Sequence, residues 1–289
     1  MTTRTKCSAA GLVALGVTAI TLIALLGSRE PSFQGRKLTL WLRDFDGWDG
    51  LSDVPVSKAL QEIGTNAIPT LLGTMRTRDT RLRQCVIALD SKQSLIRFQS
   101  VVRLDPSPQP SRRWRAVDAF SVLGPAGRPA IPALERLLRD ADTAPEAASA
   151  LARIGPETLP LIVQAVTNSN NRIRSGAIFG LAYLGPRGSA AIPALIAALG
   201  DQDDYVRASA AWALGLVGAN DPAVVPPLLK SAADPSPNVR AKVAESLGAV
   251  GISSEPAVAV LRRGLADADL SVRKFAGNSL RQLTHSQTP

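Results

Sequence analysis

The side chains with reactive potential in this sequence are few and poorly spaced for reaction. His285 is the only histidine, so neither a metal site built on paired histidines nor a His-dependent nucleophilic triad can be assembled. Cys7 and Cys85 show neither metal-type nor disulfide-framework spacing. Glycines recur at long intervals instead of clustering into a phosphate-binding loop. Adjacent acids such as Asp203 and Asp204 fall in turn-like stretches, where a solvated pair is the default reading. These residues point to no catalysis, no metal and no cofactor.

Binding chemistry is better represented. Residues 76–115 hold ten Arg or Lys against three Asp, which is seven of the nine net positive charges of the chain. Within them Arg112, Arg113 and Arg115 surround Trp114, and interleaved charge and aromatic rings suit a polyanion. A binder of nucleic acid, or of another polyanion, through residues 76–115 is therefore one expectation, set against a plain solvated surface. If the body lies outside the cytoplasm, nucleic acid is the wrong partner. A second set lies at Arg136, Gln164, Ala197, Lys230 and Arg263, on the outward phase of successive helical segments. That row of small and basic groups would suit an acidic peptide or another unidentified protein.

The elements that must carry these residues announce themselves by repetition. Ile173-Arg174, Val206-Arg207, Val239-Arg240 and Val272-Arg273 recur every 33 residues, as do Pro160, Pro193 and Pro226. A fixed period of this size marks a stack of repeated units. Val206, Ala210, Ala213, Leu214 and Val217 form one apolar helical stripe, repeated at Val239, Val243, Leu247 and Val250. Gly64, Gly124, Gly155, Gly185, Gly218 and Gly251 stand where these helices should end, and glycine accepts the positive φ that closes a last turn. A second helix then opens at Pro69, Pro132, Pro160, Pro193 and Pro226, since proline is tolerated in a first turn.

The pattern Asp-x-x-x-x-Val-Arg, an Ala-rich helix, Leu-Gly and then Ile-Pro-x-Leu resembles the HEAT repeat, particularly the short bacterial type first associated with phycobilin lyases. Strong matches run from 112 to 285, with a further unit at 53–77. The resemblance implies an all-α fold: a right-handed α-solenoid, or armadillo-type superhelix, of about six antiparallel helix pairs. It also implies a structural ladder between units, assigned by position to Asp201 with Arg207, Asp234 with Arg240 and Asp267 with Arg273. In such arrays the second-helix row is expected on the concave face. The repeat type keeps a bilin-lyase-like enzyme as an alternative. The register fails twice. The unit at 143–168 is shortened, with Pro145 near the expected arginine. Residues 79–111 interrupt the array, with helical stretches expected at 80–89 and 93–102 and a proline-rich loop at 105–111.

Residues 8–28 form an uncharged run long enough for one membrane-crossing helix. The expected organisation is a basic tail and transmembrane signal anchor at 1–30, a lead-in and capping helix at 31–52, and a solenoid at 53–289. Arg4 and Lys6 favour a cytoplasmic N-terminus and an extracytoplasmic body, although Arg29, Arg36, Lys37 and Arg43 on the far side weaken the asymmetry. Cleavage near Gly27 or Ser28, giving a secreted protein, is the alternative. The stretch from Gly35 to Leu42 is similar to the segment after the anchor in a group of bacterial HEAT-repeat proteins with no assigned activity. Its Leu38, Trp41, Leu42 and Phe45 share a face expected to cap the first repeat, with an aromatic platform at Trp41 and Trp48 as the alternative. The function expected is a non-catalytic protein–protein interaction scaffold tethered to the membrane.

Overall fold

The computed structural model describes residues 30–45, 54–77 and 109–285. The expected anchor at 8–28, Trp48 and the stretches 80–89 and 93–102 lie outside them. No helix among the described residues is long and apolar enough to cross a membrane.

One turn and two helices make the repeating unit. In the turn, Asp201 Oδ1 accepts the N–H of Asp203 at 2.9 Å, and Asp203 Oδ1 accepts the N–H of Val206 at 3.1 Å, which starts the next helix. The first bond recurs at Asp140, Asn168, Asp234 and Asp267. A long helix follows, then a 3₁₀ turn in all but the last pair, then a short helix with proline in its first turn. The pairs are α2 (Val54–Ile63) with α3 (Ile68–Arg76), α4 (Gln109–Leu123) with α5 (Ile131–Leu138), and α6 (Ala144–Ile154) with α7 (Leu159–Ala165). They continue as α8 (Asn171–Leu184) with α9 (Ile192–Ala198), α10 (Asp204–Val217) with α11 (Val225–Ser231), and α12 (Pro237–Val250) with α13 (Glu255–Gly264), ending in α14 (Leu270–His285). The lead-in is a hairpin of β1 (Ser32–Phe33) and β2 (Arg36–Lys37) followed by α1 (Leu38–Arg43). Leu38, Leu42 and Phe45 are buried beside α2 and α4, with Trp41 partly buried against the same core, so the lead-in does cover the first repeat. The hairpin itself was not expected.

First helices pack flank to flank along the stack, while second helices mainly contact first helices. Small residues make this possible. A Cβ on Gly180 would stand 2.6 Å from Ala148 Cβ and 2.7 Å from its carbonyl carbon, so the backbones of α8 and α6 meet with no room between. Ser246 Oγ donates to the Ala211 carbonyl at 2.7 Å, tying α12 to α10 inside the core. The first helices thus form one face of the stack, and the second-helix row with Arg136, Lys230 and Arg263 forms the other.

The ladder exists, with different partners. Arg174 Nε and Nη2 donate to both oxygens of Asp201 at 2.7 Å; Arg207 meets Asp234 at 2.8 and 3.0 Å, and Arg240 meets Asp267 at 2.8 Å twice. Each arginine thus grips the carboxylate of the following turn. Within its own motif it donates only to main chain, as from Arg207 Nη1 to the Asp201 carbonyl at 2.9 Å. Arg273 likewise donates to the Asp267 carbonyl at 2.7 Å.

Three local expectations change. Positive φ occurs at Gly64, Gly124, Gly185 and Gly251, but Gly155 is extended and Gly218 has φ −96°. After Gly218 the turn is made by Asn220, at φ 62°. The proline-rich stretch at 105–111 is already helical from Gln109, because Pro110 sits in the first turn of α4, where its missing N–H costs nothing. In the shortened unit Glu146, not Pro145, stands in the arginine's place, 28 residues before Arg174.

Candidate functional site

Of the basic segment 76–115, residues 78–108 lie outside the described residues, and two of its described arginines are not on the surface. Arg112 is 6% exposed and Arg113 is 4% exposed. Arg113 donates to the carbonyls of Asp142 at 2.5 Å and Thr77 at 3.0 Å, joining three successive units as a ladder residue does. Arg115 is half-buried. Arg112 and Arg113 are thus removed from the expected partner-binding set, because α4 needs its polar flank to meet neighbouring turns. Arg136, Lys230 and Arg263 are exposed, with Gln164 and Ala197 exposed between them, so the outward phase of that row is as expected. They lie on separate short helices and converge on no cavity. Trp114 turns the other way, toward the first-helix face.

There the structure brings together aromatic residues that the repeat pattern alone did not single out. Phe179 is the hub: its ring stacks on Trp212 at 5.0 Å and meets Tyr183 at 5.4 Å and Trp114 at 6.1 Å. Tyr205 stands nearby and is 65% exposed. Both tyrosines of the chain and two of its four tryptophans thus occupy one face. A groove of about 430 Å³ opens beside this cluster, lined by Trp114, Pro145, Arg172, Gly176, Phe179 and Tyr205. All its walls come from first helices or the caps that precede them. Gly176 makes the floor: a Cβ there would stand 2.8 Å from the Pro145 nitrogen.

Charge along the groove is largely paired within the fold. Arg153 donates to Asp118 at 3.2 Å and to Ser121 Oγ at 2.7 Å, and its guanidinium lies 4.4 Å over the Tyr183 ring. Burial pushes the Asp118 carboxyl above its usual range, against the pull of Arg153. Asp203 accepts from Asn171 at 2.6 Å, and that bond leads in holding its carboxyl below the usual range. Arg172 donates to Asp142 at 3.5 Å. Among the described residues no group of three or more His, Cys, Asp or Glu is placed to hold a metal ion. What the arrangement offers is aromatic area with a neutral, hydrogen-bonding rim.

The same period that revealed the fold carried this site as well. Phe179 and Trp212 are 33 residues apart, as are Arg172 and Tyr205. In a chain with 4% aromatics, two aromatic residues on the solvent phase of successive first helices were the available signal.

No curated protein sequence matches the chain. Among solved structures it is similar to the CpcE–CpcF phycocyanin lyase complex from a Nostoc species, at 25% identity and TM-score 0.46, over 53% of this chain and 98% of that one. It is also similar to human deoxyhypusine hydroxylase (20%, TM-score 0.38, 94% and 91% covered) and to a designed armadillo repeat protein in complex with the peptide (KR)4 (16%, TM-score 0.43, 75% and 99% covered). The sequence model for HEAT repeats matches residues 131–215 and 192–281, within the array of turns and paired helices just described. Those matches together span more than half of the sequence, and the chain belongs to the HEAT-repeat family.

Proposed function

We propose that this protein is a non-catalytic scaffold that holds a protein partner in the aromatic groove on its first-helix face. One observation carries the reading: in a chain with few aromatics, exposed Tyr183 and Tyr205 gather with partly buried Trp114, Phe179 and Trp212 on the first-helix face. Exposed aromatic clusters of this kind are enriched at the energetic centres of protein interfaces. The repeat architecture supports the same reading, because solenoids present long surfaces instead of enclosed reaction chambers. Residues 8–28 tether the scaffold to the membrane, and the basic N-tail places the solenoid on the extracytoplasmic side.

Crosslinked capture by the full chain in detergent tests the groove. Tyr205→Glu should abolish recovery of proteins that the parent captures, while Lys230→Glu with Arg263→Glu on the outer row should not. Equal recovery by all three chains would remove the groove from the account. Topology is tested by a reporter fused at the C-terminus, active only outside the cytoplasm; activity of a cytoplasmic reporter there would overturn the orientation.

A further inference from the structure

We infer that the α14 end of the stack is a second binding surface, where Arg273 takes an aspartate carboxylate from an acidic segment of a partner protein. The ladder itself names the chemistry. Arg174, Arg207 and Arg240 each donate through Nη1 to the carbonyls six and five residues earlier, which fixes the plane of the guanidinium. The remaining edge, Nε with Nη2, meets both oxygens of the aspartate 27 residues on. Arg273 makes the same Nη1 bonds, to the carbonyls of Asp267 at 2.7 Å and Ala268 at 2.8 Å. No ladder turn follows α14 among the described residues, and Arg273 Nε and Nη2 make no hydrogen bond to any of them. The side chain is nevertheless half-buried and held in the ladder orientation. A planar fork fixed in this way matches a carboxylate with two parallel bonds and loses little freedom in making them. Three occupied copies of the fork in the same chain show which group it takes.

The surroundings of Arg273 decide what carries the carboxylate. A further packed helix does not fit. First helices meet the next in line through small residues: a Cβ on Gly215 of α10 would stand 2.9 Å from Ser246, and one on Gly248 of α12 would collide with Ser279 Oγ. The equivalent residue on α14 is Arg281, which is exposed and holds another first helix away. A second copy does not fit either. Residues 270–285 carry Arg273, Lys274 and Arg281 and no acid, so two such ends repel. The nearest acids are taken, Asp267 by Arg240 and Asp269 by the N–H groups of Ser271 and Val272. At the opposite end the lead-in covers the first repeat, which closes head-to-tail addition. An acidic segment without a packed helix meets both conditions, with one aspartate in the fork and its neighbours beside exposed Lys274 and Arg281.

The probe is a fluorescein-labelled peptide of sequence Ser-Asp-Ser-Asp-Ser-Asp-Ser, titrated into the purified full chain. The comparison ligands are the same peptide with Asn for each Asp, and an oligothymidylate of equal charge. Saturable binding of the aspartate peptide is expected, with the asparagine peptide inert and the oligothymidylate weaker. Arg273→Lys keeps the charge and removes the fork, and should weaken binding about tenfold. Its melting temperature shows whether the fold is intact. Lys274→Gln with Arg281→Gln breaks no ladder bond and should weaken binding several-fold, while Arg136→Gln with Lys230→Gln on the outer row should leave it unchanged. Tyr205→Glu should also leave it unchanged, which separates this surface from the groove. The inference is overturned by an aspartate peptide that binds no tighter than its asparagine form, or by tighter binding of the oligothymidylate. A folded Arg273→Lys variant that binds as the parent does, or an equal loss from the outer-row pair, overturns it as well.

Discussion

At the scale of single residues, the ladder shows how one arginine does the work of several contacts. Arg207 satisfies its own turn's carbonyls and grips Asp234 of the next, so removing it leaves a carboxylate with half its partners. Arg207→Ala should cost about 2 kcal/mol, read from denaturant midpoints. Arg240 holds Asp267 down to about 2, and Asp201 and Asp234 are also lowered: burial raises them, but their arginines outweigh it. A carboxyl with a depressed folded value contributes stability that is present above its ordinary 3.8 and lost as pH falls toward the folded value. Acid melting between about pH 4 and pH 2 should therefore be steeper in the parent than in Arg240→Ala. Glu146 has the opposite sign. Burial lifts its carboxyl, Arg113 stands 3.9 Å away, and its Oε2 has no hydrogen-bond partner among the described residues. Its ionisation costs stability as pH rises above 4.5 through the folded value. Glu146→Gln should stabilise the chain by about 1 kcal/mol at pH 7 and flatten that loss. A melting curve unchanged by this substitution would show the site to be better solvated than its burial indicates.

Between elements, spacing is set by the small residues on first helices. Gly180→Ala must push α8 away from α6 and should cost about 2 kcal/mol, because the obstacle is the Ala148 main chain, which cannot rotate aside. Gly73→Ala in α3, with no described residue within 4 Å of its new methyl group, should stabilise by about 0.5–1 kcal/mol. Equal effects of the two substitutions would contradict the close packing of first helices. The helices themselves were legible because each carries its own punctuation: the turn aspartate, the closing glycine and the opening proline. Ladder partners were less legible, since Asp201 and Arg207 are neighbours in sequence but belong to different rungs. Arg113 misled for a related reason. A basic run beside a tryptophan reads as a surface, and only the folded position of α4 between two turns shows why the guanidinium is buried.

For the whole molecule, the two helix layers offer a partner two faces. The second-helix row was readable to the residue, while the aromatic residues sit on the first-helix face. Sequence periodicity identifies equivalent positions but does not say which side of the stack is compressed; that follows from Gly176, Gly180 and Ser246, whose contacts appear only on folding. The two faces make opposing claims, and one comparison separates them. Photo-crosslinkers placed at Tyr205 and at Arg263 in the full chain, in intact cells, would report which face touches a partner. A groove-borne partner should give a discrete adduct from position 205, lost on adding Phe179→Ala elsewhere in the same groove, and none from position 263. An adduct from position 263 with none from 205 would contradict the assignment of the first-helix face as the binding surface.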